Sequence, residues 1–305
     1  VAGKPSKHSK GHATGYHEGR NRFRNRDHRG AGRTMKLWCT DDGILLEQEN
    51  DFYSIDLTID DVFRADNPMA TVLEATRTVA TLPDRPRAPI GQQEIWAAGV
   101  TYFASREARI EESDAAKDAY ELVYDADRPE LFFKSTAHRA VGPNDAVRIR
   151  RDSAWNVPEP ELTLAVNSSG RIFGYCVGND MSSRDIEGEN PLYLPQAKTY
   201  DGAAAIGPCI LLQDVPPGTG TEVTMSILRD QEIVFSGSTT VGRIRRPFDE
   251  LVEYLYRETS FPDGCFLMTG AGVVPDPTFT LNPGDDIRIY IQGIGELCNH
   301  VEVRP

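Results

Sequence analysis

The chain has 305 residues, a hydrophobic content of 39% and a formal net charge of -13 at pH 7. This length accommodates one large and one small domain with an ample core, and the mean hydropathy of -0.43 together with interrupted apolar runs excludes a transmembrane segment. Five widely spaced cysteines without a Cys-x-x-Cys pair argue against zinc and disulfide frameworks and indicate reduced thiols in a cytoplasm.

Residues 1–34 predict a disordered basic leader. They carry nine Lys or Arg against two Asp or Glu, include four of the six histidines and lack hydrophobic periodicity. A nucleic-acid-binding arm and a presequence are alternatives, although the apolar core of a secretion signal is missing. Residues 35–305 hold 24 basic and 44 acidic side chains, a net charge of -20, which opposes nucleic-acid binding. We expect the folded protein to begin at Met35.

Residues 35–89 are expected to form a small N-terminal domain and a linker. A helix is predicted after Asn67, which offers a cap, with Pro68 in its first turn and an apolar stripe that reaches Val79. Three prolines within residues 82–89 forbid regular structure and indicate the linker. The predicted strands of this domain cover residues 36–39, 44–47 and 52–57.

Residues 90–305 are expected to form the catalytic domain. Helices are predicted at residues 106–125 and 248–256. The predicted strands outnumber the predicted helices, which favours an α+β fold that is rich in strands. The predicted strands cover residues 94–102, 131–134, 161–166, 171–179, 206–212, 222–228, 232–235, 265–269 and 286–291.

A strand with a metal site at its beginning is predicted at residues 157–166, which read Val157-Pro-Glu-Pro-Glu-Leu-Thr-Leu-Ala-Val166. Strand alternation places the leucines on one face and Glu161, with Glu159, on the other. Because Pro160 cannot donate to a sheet, we expect the strand to begin at a sheet edge with its carboxylates pointing outward. Residues 167–170, Asn-Ser-Ser-Gly, predict a turn.

We expect the return strand, residues 171–179, to set Glu161 opposite Cys176 and to bring Asp180 onto the face of both glutamates. Opposed side chains in a hairpin lie about 5 Å apart and diagonal ones roughly 7 Å. The carboxylates of Glu159, Glu161 and Asp180 can therefore converge on one ion. Such a site suits Mg²⁺, or Mn²⁺, better than zinc. The alternative is a set of ordinary solvated acids in an acidic protein.

Several motifs that recur in order resemble the fumarylacetoacetate hydrolase superfamily, and its sugar-acid branch most closely. The resemblance extends from about Gly99 to the C-terminus and implies a mixed β-sandwich roll. We expect a homodimer or homotetramer. The motifs are Tyr124-Asp-Ala-Asp-Arg-Pro-Glu-Leu-Phe-Phe-Lys134, Pro158-Glu-Pro-Glu-Leu162, Gly174-Tyr-x-x-x-Asn-Asp-Met-Ser-Ser-Arg-Asp185, Asn190-Pro-Leu-Tyr-Leu-Pro-Gln-Ala-Lys198 and Ala205-Ile-Gly-Pro208.

Glu130 and Lys198 are the catalytic candidates under this resemblance. Glu130 begins an otherwise apolar strand and is implied to face the substrate as a general acid or base. An ion pair with Arg128 or Arg139 is the alternative. Lys198 matches the active-site lysine of the family, which can bind a substrate carboxylate or move a proton. Without the motif it would be read as a surface lysine.

Ser105, Arg106 and Thr269 are further candidates for substrate binding. Hydrolytic relatives have a water-activating histidine where Ser105 stands, so this departure favours a lyase, although Ser105 could instead cap the following helix. Thr269 opens a Thr-Gly segment that could hold a carboxylate, with a tight glycine turn as the alternative. Arg184 and Asp185 are expected to form a structural ion pair, unless Arg184 meets a substrate carboxylate.

The resemblance implies a hydro-lyase that removes water from a 2-keto-3-deoxy sugar acid in oxidative pentose degradation. The closest match is conversion of 2-keto-3-deoxy-D-arabinonate to 2,5-dioxopentanoate. A 2-oxo acid chelates a metal ion through its carboxylate and keto oxygens, which makes its C3 protons acidic. An acylpyruvate or fumarylacetoacetate-type hydrolase, an oxaloacetate decarboxylase and a catalytically silent binding protein are the alternatives.

Overall fold

Strands dominate the structure, a computed structural model that describes residues 34–102, 123 and 126–304. The helices in these ranges are short, which confirms the expected strand-rich α+β class. No helix among them has the length and apolar character needed to cross a membrane. These helices are α1 (Ile59–Arg64), α2 (Pro68–Glu74), α3 (Arg184–Glu189), α4 (Leu194–Lys198) and α5 (Phe248–Tyr256).

The strands alternate with tight turns along most of the described chain. In order they are β1 (Met35–Thr40), β2 (Gly43–Gln48), β3 (Asp51–Ile55), β4 (Arg77–Ala80), β5 (Glu94–Gly99), β6 (Glu130–Thr136), β7 (Ala140–Val141), β8 (Ala146–Ile149), β9 (Asn156–Val157), β10 (Pro160–Val166), β11 (Ile172–Asp180), β12 (Ser182–Ser183), β13 (Ala204–Leu212), β14 (Glu222–Arg229), β15 (Glu232–Thr240), β16 (Cys265–Ala271), β17 (Asp286–Ile291) and β18 (Gly295–Val303).

A mixed sheet of eleven described strands is the framework of the fold. Its order is β4-β3-β2-β1-β13-β11-β10-β16-β5-β6, with β7 beside β13. A five-stranded sheet, β15-β14-β17-β18-β8, packs on one face of it through a shared apolar core. The pairs β16 with β5, β13 with β7 and β18 with β8 are parallel. The two packed sheets form a sandwich.

Strand β10 lies in the middle of the large sheet, between β11 and β16, so the expectation that it begins at an edge is wrong. All seven of its residues are buried. Leu162 and Leu164 belong to the core shared with the smaller sheet, whereas Ala165 faces a second core, so the predicted alternation is confirmed. Pro160 is tolerated because it is the first residue of the strand.

The N-terminal strands continue the large sheet, since β1 pairs with β13. Helices α1 and α2 cover the second core, where the ring of Phe63 packs edge-on against Phe173 at 4.9 Å between centroids. The described residues from 34 to 304 belong to one compact unit. The division into a small domain of residues 35–89 and a catalytic domain of residues 90–305 stays a prediction. Of the expected leader, residues 1–34, the first 33 lie outside the described residues.

Helices α1 and α2 begin at side-chain caps. Thr58 and Asp61 form a reciprocal capping box at α1. The Asn67 side chain accepts a hydrogen bond from the backbone of α2 at 3.1 Å, as predicted. However, α2 ends at Glu74, and Val79 lies in β4 with 82% of its surface exposed. The predicted apolar stripe therefore does not extend to Val79.

Candidate active site

Three buried carboxylates converge where β10 begins and β11 ends. Glu159 precedes β10, Glu161 is its second residue, and Asp180 is the last residue of β11. One carboxylate oxygen from each residue lies within 4.8 Å of the others. Their exposed fractions are 5%, 2% and 1%. The structure thus brings together the three side chains that strand alternation places on one face, and they are enclosed rather than solvated.

The hairpin reaches this arrangement through a different register from the predicted one. Glu161 pairs with Gly178, two residues beyond its predicted partner. The Asn167 side chain accepts the backbone N–H of Arg171 at 2.8 Å and holds that residue in the turn. Val166 therefore pairs with Ile172, which shifts the register by one residue. A bulge between residues 165 and 166 shifts it by a second residue. Because side chains alternate with a period of two, a two-residue slip leaves each one on its predicted face.

Three buried cationic side chains contact the carboxylates. Lys198 Nζ donates to Glu159 at 2.7 Å and to Asp180 at 2.9 Å. The Arg184 guanidinium donates to Glu159 at 2.6 Å. Lys134 Nζ lies 2.5 Å from Asp180 Oδ1. None of the three cationic residues is more than 1% exposed, so these ion pairs are poorly screened by solvent.

The charges around the cavity fit a divalent cation. Five carboxylates and two cationic side chains line it, and Lys134 adds a third positive charge behind Asp180, so two negative charges are left in excess. Burial, followed by the charges of Asp180 and Glu159, raises the pKa of Glu161 well above its ordinary value. Such an enclosed anionic cluster favours a bound cation. The lining carboxylates are Glu130, Glu159, Glu161, Asp180 and Glu187.

The cavity between these side chains is small. Its volume of about 20 Å³ is enough for an ion or a water molecule.

Glu130 reaches the cavity across a glycine. It opens β6 opposite Gly99, the last residue of β5. A Cβ atom on Gly99 would lie 2.1 Å from Glu130 Oε2, so the missing side chain provides the space for this carboxylate. Phe132, two residues along β6, lies under Lys198 Nζ at 5.7 Å from the ring centroid. Both predicted catalytic residues therefore line the same cavity as the carboxylates.

A short helix positions Lys198. The Asn190 side chain accepts from the Leu192 backbone at 2.9 Å and starts the turn that leads into α4, and Lys198 is the last residue of that helix. Lys134 Nζ donates to the backbone carbonyls of Lys198 at 2.5 Å and of Met181 at 2.8 Å. Lys134 therefore ties the end of α4 to the segment that carries Asp180.

Lys134 and Glu187 are site residues that the sequence analysis missed. Lys134 is the last residue of a motif that carries the family resemblance. Only the structure shows that its ammonium group is fully buried and contacts Asp180. Burial lowers its pKa, and the charge of Asp180 opposes that shift. Glu187 follows Arg184 by three residues on α3, which places both on one helix face. This spacing could have predicted that Glu187 lies beside Arg184 in the site.

The Thr-Gly segment holds a carboxylate, that of Glu161. The Gly270 N–H donates to Glu161 Oε2 at 2.5 Å. The Thr269 hydroxyl donates to the Leu162 carbonyl at 2.8 Å, and Thr269 is fully buried. The structure thus places this hydroxyl on the backbone of β10 and not in the cavity, contrary to its predicted contact with substrate.

Asp185 lies outside the cluster. The sequence predicts an ion pair between Arg184 and Asp185, but the Arg184 guanidinium reaches Glu159, and Asp185 accepts from the Ser153 hydroxyl at 2.5 Å. Asp185 therefore stabilises the segment that leads into β9. Two predicted substrate-binding residues lie outside the described part of the chain, Ser105 and Arg106.

Comparisons with known proteins agree with the fold. The profile of the fumarylacetoacetate (FAA) hydrolase C-terminal family matches residues 95–302. A protein of Haloferax volcanii named "Probable 2-keto-3-deoxyxylonate dehydratase" is 50% identical over 214 residues, which cover 70% of this chain and 73% of the relative. The 2-dehydro-3-deoxy-D-arabinonate dehydratase of Saccharolobus solfataricus is 42% identical over 220 residues, 71% and 74% of the two chains.

Solved structures extend the similarity to the whole fold. A 2-keto-3-deoxy-D-arabinonate dehydratase complexed with magnesium and 2,5-dioxopentanoate has 33% identity and a TM-score of 0.77. The match covers 89% of this chain and 99% of that one. A fumarylacetoacetate hydrolase from Exiguobacterium antarcticum has 22% identity and a TM-score of 0.65, which indicates a shared fold.

Proposed function

Because the chain belongs to the fumarylacetoacetate hydrolase family, we propose that it is a Mg²⁺-dependent hydro-lyase of a 2-keto-3-deoxy sugar acid. The substrate is 2-keto-3-deoxy-D-arabinonate, and the products are 2,5-dioxopentanoate and water. Relatives at 50% and 42% identity are named dehydratases of 2-keto-3-deoxy pentonates. The related enzyme solved with magnesium and 2,5-dioxopentanoate supports both the cofactor and the product.

One observation in this chain carries the proposal. The carboxylate cluster, Glu130 and Lys198 line a single buried cavity. Dehydration of a 2-oxo acid requires a cation near the oxo group, a base for the C3 proton and an acid for the leaving hydroxyl. The cavity provides residue types suited to all three tasks.

Glu159, Glu161 and Asp180 would hold the ion, which is Mg²⁺ or alternatively Mn²⁺. Their all-oxygen donor set suits these cations. When bound, the divalent ion polarises the keto group of the substrate and thereby acidifies its C3 protons. The Gly270 N–H orients the Glu161 carboxylate from outside the cluster, and Lys134 does the same for Asp180.

Glu130 and Lys198 divide the proton transfers. The Lys198 ammonium contacts two carboxylates of the cluster, so it lies beside the proposed ion and is our candidate proton donor to the departing C4 hydroxyl. The Glu130 carboxylate then accepts the C3 proton. Loss of the C3 proton and of the C4 hydroxyl leaves a C3–C4 double bond in the substrate. Two proton transfers then complete the reaction: a C5–H proton moves to C3 and leaves the C4–C5 enol, and the enol O–H proton moves to C4 and leaves the terminal aldehyde of 2,5-dioxopentanoate.

The described residues favour elimination over hydrolysis of a C–C bond. No histidine is among the described residues that line the cavity. The His138 ring contacts Thr136, and the His300 ring contacts Glu302. A histidine base for water is therefore not present in this part of the site, and Ser105 remains the proposed substrate contact at the position of the family's histidine.

We place the enzyme in the cytoplasm as a homodimer or homotetramer. All five cysteines are unpaired, and four of them are buried, which suits a reducing compartment.

Strand β15 forms an edge of the smaller sheet, where Ile233 and Val234 are 66% and 41% exposed. An apolar edge strand of this length favours pairing with another chain. Sedimentation equilibrium would give the mass of the assembly.

The reaction is tested by incubating the protein with a panel of 2-keto-3-deoxy acids, with Mg²⁺ and with EDTA. We expect a product with the mass of 2,5-dioxopentanoate from the arabinonate, and only when Mg²⁺ is present. Acylpyruvates are the control substrates. Release of pyruvate from an acylpyruvate, at a rate equal to that of the best sugar acid, would contradict the assignment as a lyase.

A further inference from the structure

A bulge in β16 directs one backbone N–H toward the carboxylate cluster. The pair of Glu161 with Ala271 is followed by a register shift, and residues 269 and 270 of β16 lie opposite residue 162 of β10 alone. Such a bulge interrupts the ladder of hydrogen bonds and changes the direction of the backbone groups in it. The Gly270 N–H donates to Glu161 Oε2 at 2.5 Å instead of to the neighbouring strand. The bulge therefore lets the backbone of a central strand hold a buried carboxylate.

The same peptide unit is held from its other side by Thr101. The Thr101 hydroxyl donates to the Thr269 carbonyl at 2.6 Å, and this carbonyl shares a peptide bond with the Gly270 N–H. A chain of hydrogen bonds thus extends from the hydroxyl through one peptide to the Glu161 carboxylate. Thr101 and Thr269 are 1% and 0% exposed. Because hydrogen bonds in such a chain polarise one another in a buried environment, the hydroxyl strengthens the bond to the carboxylate.

Parallel pairing explains why Thr101 reaches this peptide. Strands β5 and β16 are parallel, with Ala97 beside Met268, so their carboxyl ends lie at the same end of the pair. Thr101 follows β5 after a sharp turn at Val100, whose φ of 51° is rare for a β-branched residue. The Arg245 N–H donates to the Thr101 carbonyl at 3.0 Å. The turn and this contact together fix Thr101 against the bulge.

The bulge depends on a glycine beside Thr101. Gly270 has a φ of 94°, in the region that glycine adopts most readily. A Cβ atom on it would lie 2.0 Å from Thr101 Oγ1. The missing side chain thus gives the hydroxyl the space to approach the peptide, and the two residues define one packed unit.

We propose that Thr101 is a positioning residue for the metal ligand Glu161 and acts through the peptide between Thr269 and Gly270. The inference rests on the proposed function, in which Glu161 is a ligand of Mg²⁺. Thr101 holds the peptide, and the peptide N–H holds one carboxylate oxygen, which limits the orientations of the other. A ligand that is ordered before the ion arrives loses less freedom on binding.

Calorimetric titration of Mg²⁺ into the metal-free full chain measures this effect without using turnover. Thr101→Val removes the hydroxyl and keeps the branched shape. It should weaken Mg²⁺ binding by about 10-fold, the lower end of the range for groups that orient metal ligands, because Thr101 acts through an intervening peptide. Thr101→Ser keeps the hydroxyl and should bind Mg²⁺ with nearly the affinity of the unmodified chain.

Thr163→Val is the matched control. Thr163 is fully buried on β10, two residues from Glu161, and its hydroxyl has no hydrogen-bond partner among the described residues. Its substitution removes a buried hydroxyl close to the same ligand but outside the chain of hydrogen bonds. Mg²⁺ affinity should therefore equal that of the unmodified chain.

A purely structural role for Thr101 would lower the Tm of the metal-free chain and leave Mg²⁺ affinity unchanged. Normal affinity in Thr101→Val, or an equal loss in Thr163→Val, would overturn the inference and leave the proposed function intact. Thr101→Ala is the second variant and should show the same loss as Thr101→Val; failure of both to fold, seen by circular dichroism, would assign Thr101 to the fold alone. If the unmodified chain binds neither Mg²⁺ nor Mn²⁺, the proposed metal site fails and the inference fails with it.

Discussion

Gly99→Ala should displace the Glu130 carboxylate while the carboxylate cluster remains intact. The new Cβ atom would lie 2.1 Å from Glu130 Oε2, and ordinary van der Waals contact begins at 3.4 Å, so the carboxylate has to move by about 1.3 Å. Because this carboxylate is the end of a flexible side chain, it can move without disrupting the pairing of β5 with β6. The substitution therefore tests the position of Glu130 without removing its charge.

The expected loss is mainly in kcat. A misplacement of about 1 Å at a catalytic group costs on the order of 100-fold in rate, equivalent to about 2.7 kcal/mol. The Tm should fall by no more than about 4 °C, the shift for roughly 1 kcal/mol in a domain of this size. Mg²⁺ affinity should be retained, since the three atoms nearest to the new Cβ atom all belong to Glu130 and not to a proposed ligand.

The assay is formation of 2,5-dioxopentanoate at saturating Mg²⁺, with calorimetric titration of Mg²⁺ alongside. Gly91→Ala is the matched control, because its Cβ atom would lie 2.1 Å from Asp60 Oδ1 and neither residue lines the catalytic cavity. Its kcat should equal that of the unmodified enzyme. A Gly99→Ala enzyme within about threefold of normal kcat, or an equal loss in Gly91→Ala, would refute the role of Glu130.

Three further substitutions test other parts of the site. Glu161→Gln should abolish Mg²⁺-dependent turnover in a folded protein, since it removes an anionic ligand. The raised pKa of Glu161 means that its stabilising contribution is present at low pH and is lost as the pH rises through that pKa. The Tm of the metal-free enzyme should therefore fall more steeply with pH than that of Glu161→Gln, and parallel curves would contradict this. Lys134→Met should lower the free energy of unfolding by about 3 to 5 kcal/mol in urea titrations, because it removes one of the two ammonium groups that contact the buried Asp180 carboxylate; a loss below about 1 kcal/mol would contradict this. Ser105→Ala should reduce substrate affinity or turnover by about 10- to 100-fold if Ser105 donates to the substrate, and normal kinetics would make it a helix cap.

The sequence by itself determined which carboxylates can meet. Alternation along a strand is a local property, so Glu159, Glu161 and Asp180 share a face whether the hairpin adopts the predicted register or the observed one. The cap of α2 was predictable for the same reason, because Asn67 bonds to the backbone only three residues away. Strand-rich character also follows from patterns within single segments.

Only the tertiary structure decided what surrounds those local features. Strand β10 became central because β16, more than ninety residues later, pairs along it, and alternation within a strand carries no information about its neighbours. The burial of Lys134 on Asp180 and the contact of Gly270 with Glu161 likewise join segments that are distant in the chain. Such long-range contacts set the charge balance of the catalytic cavity, because electrostatic interactions depend on distance in space and on burial rather than on separation along the chain.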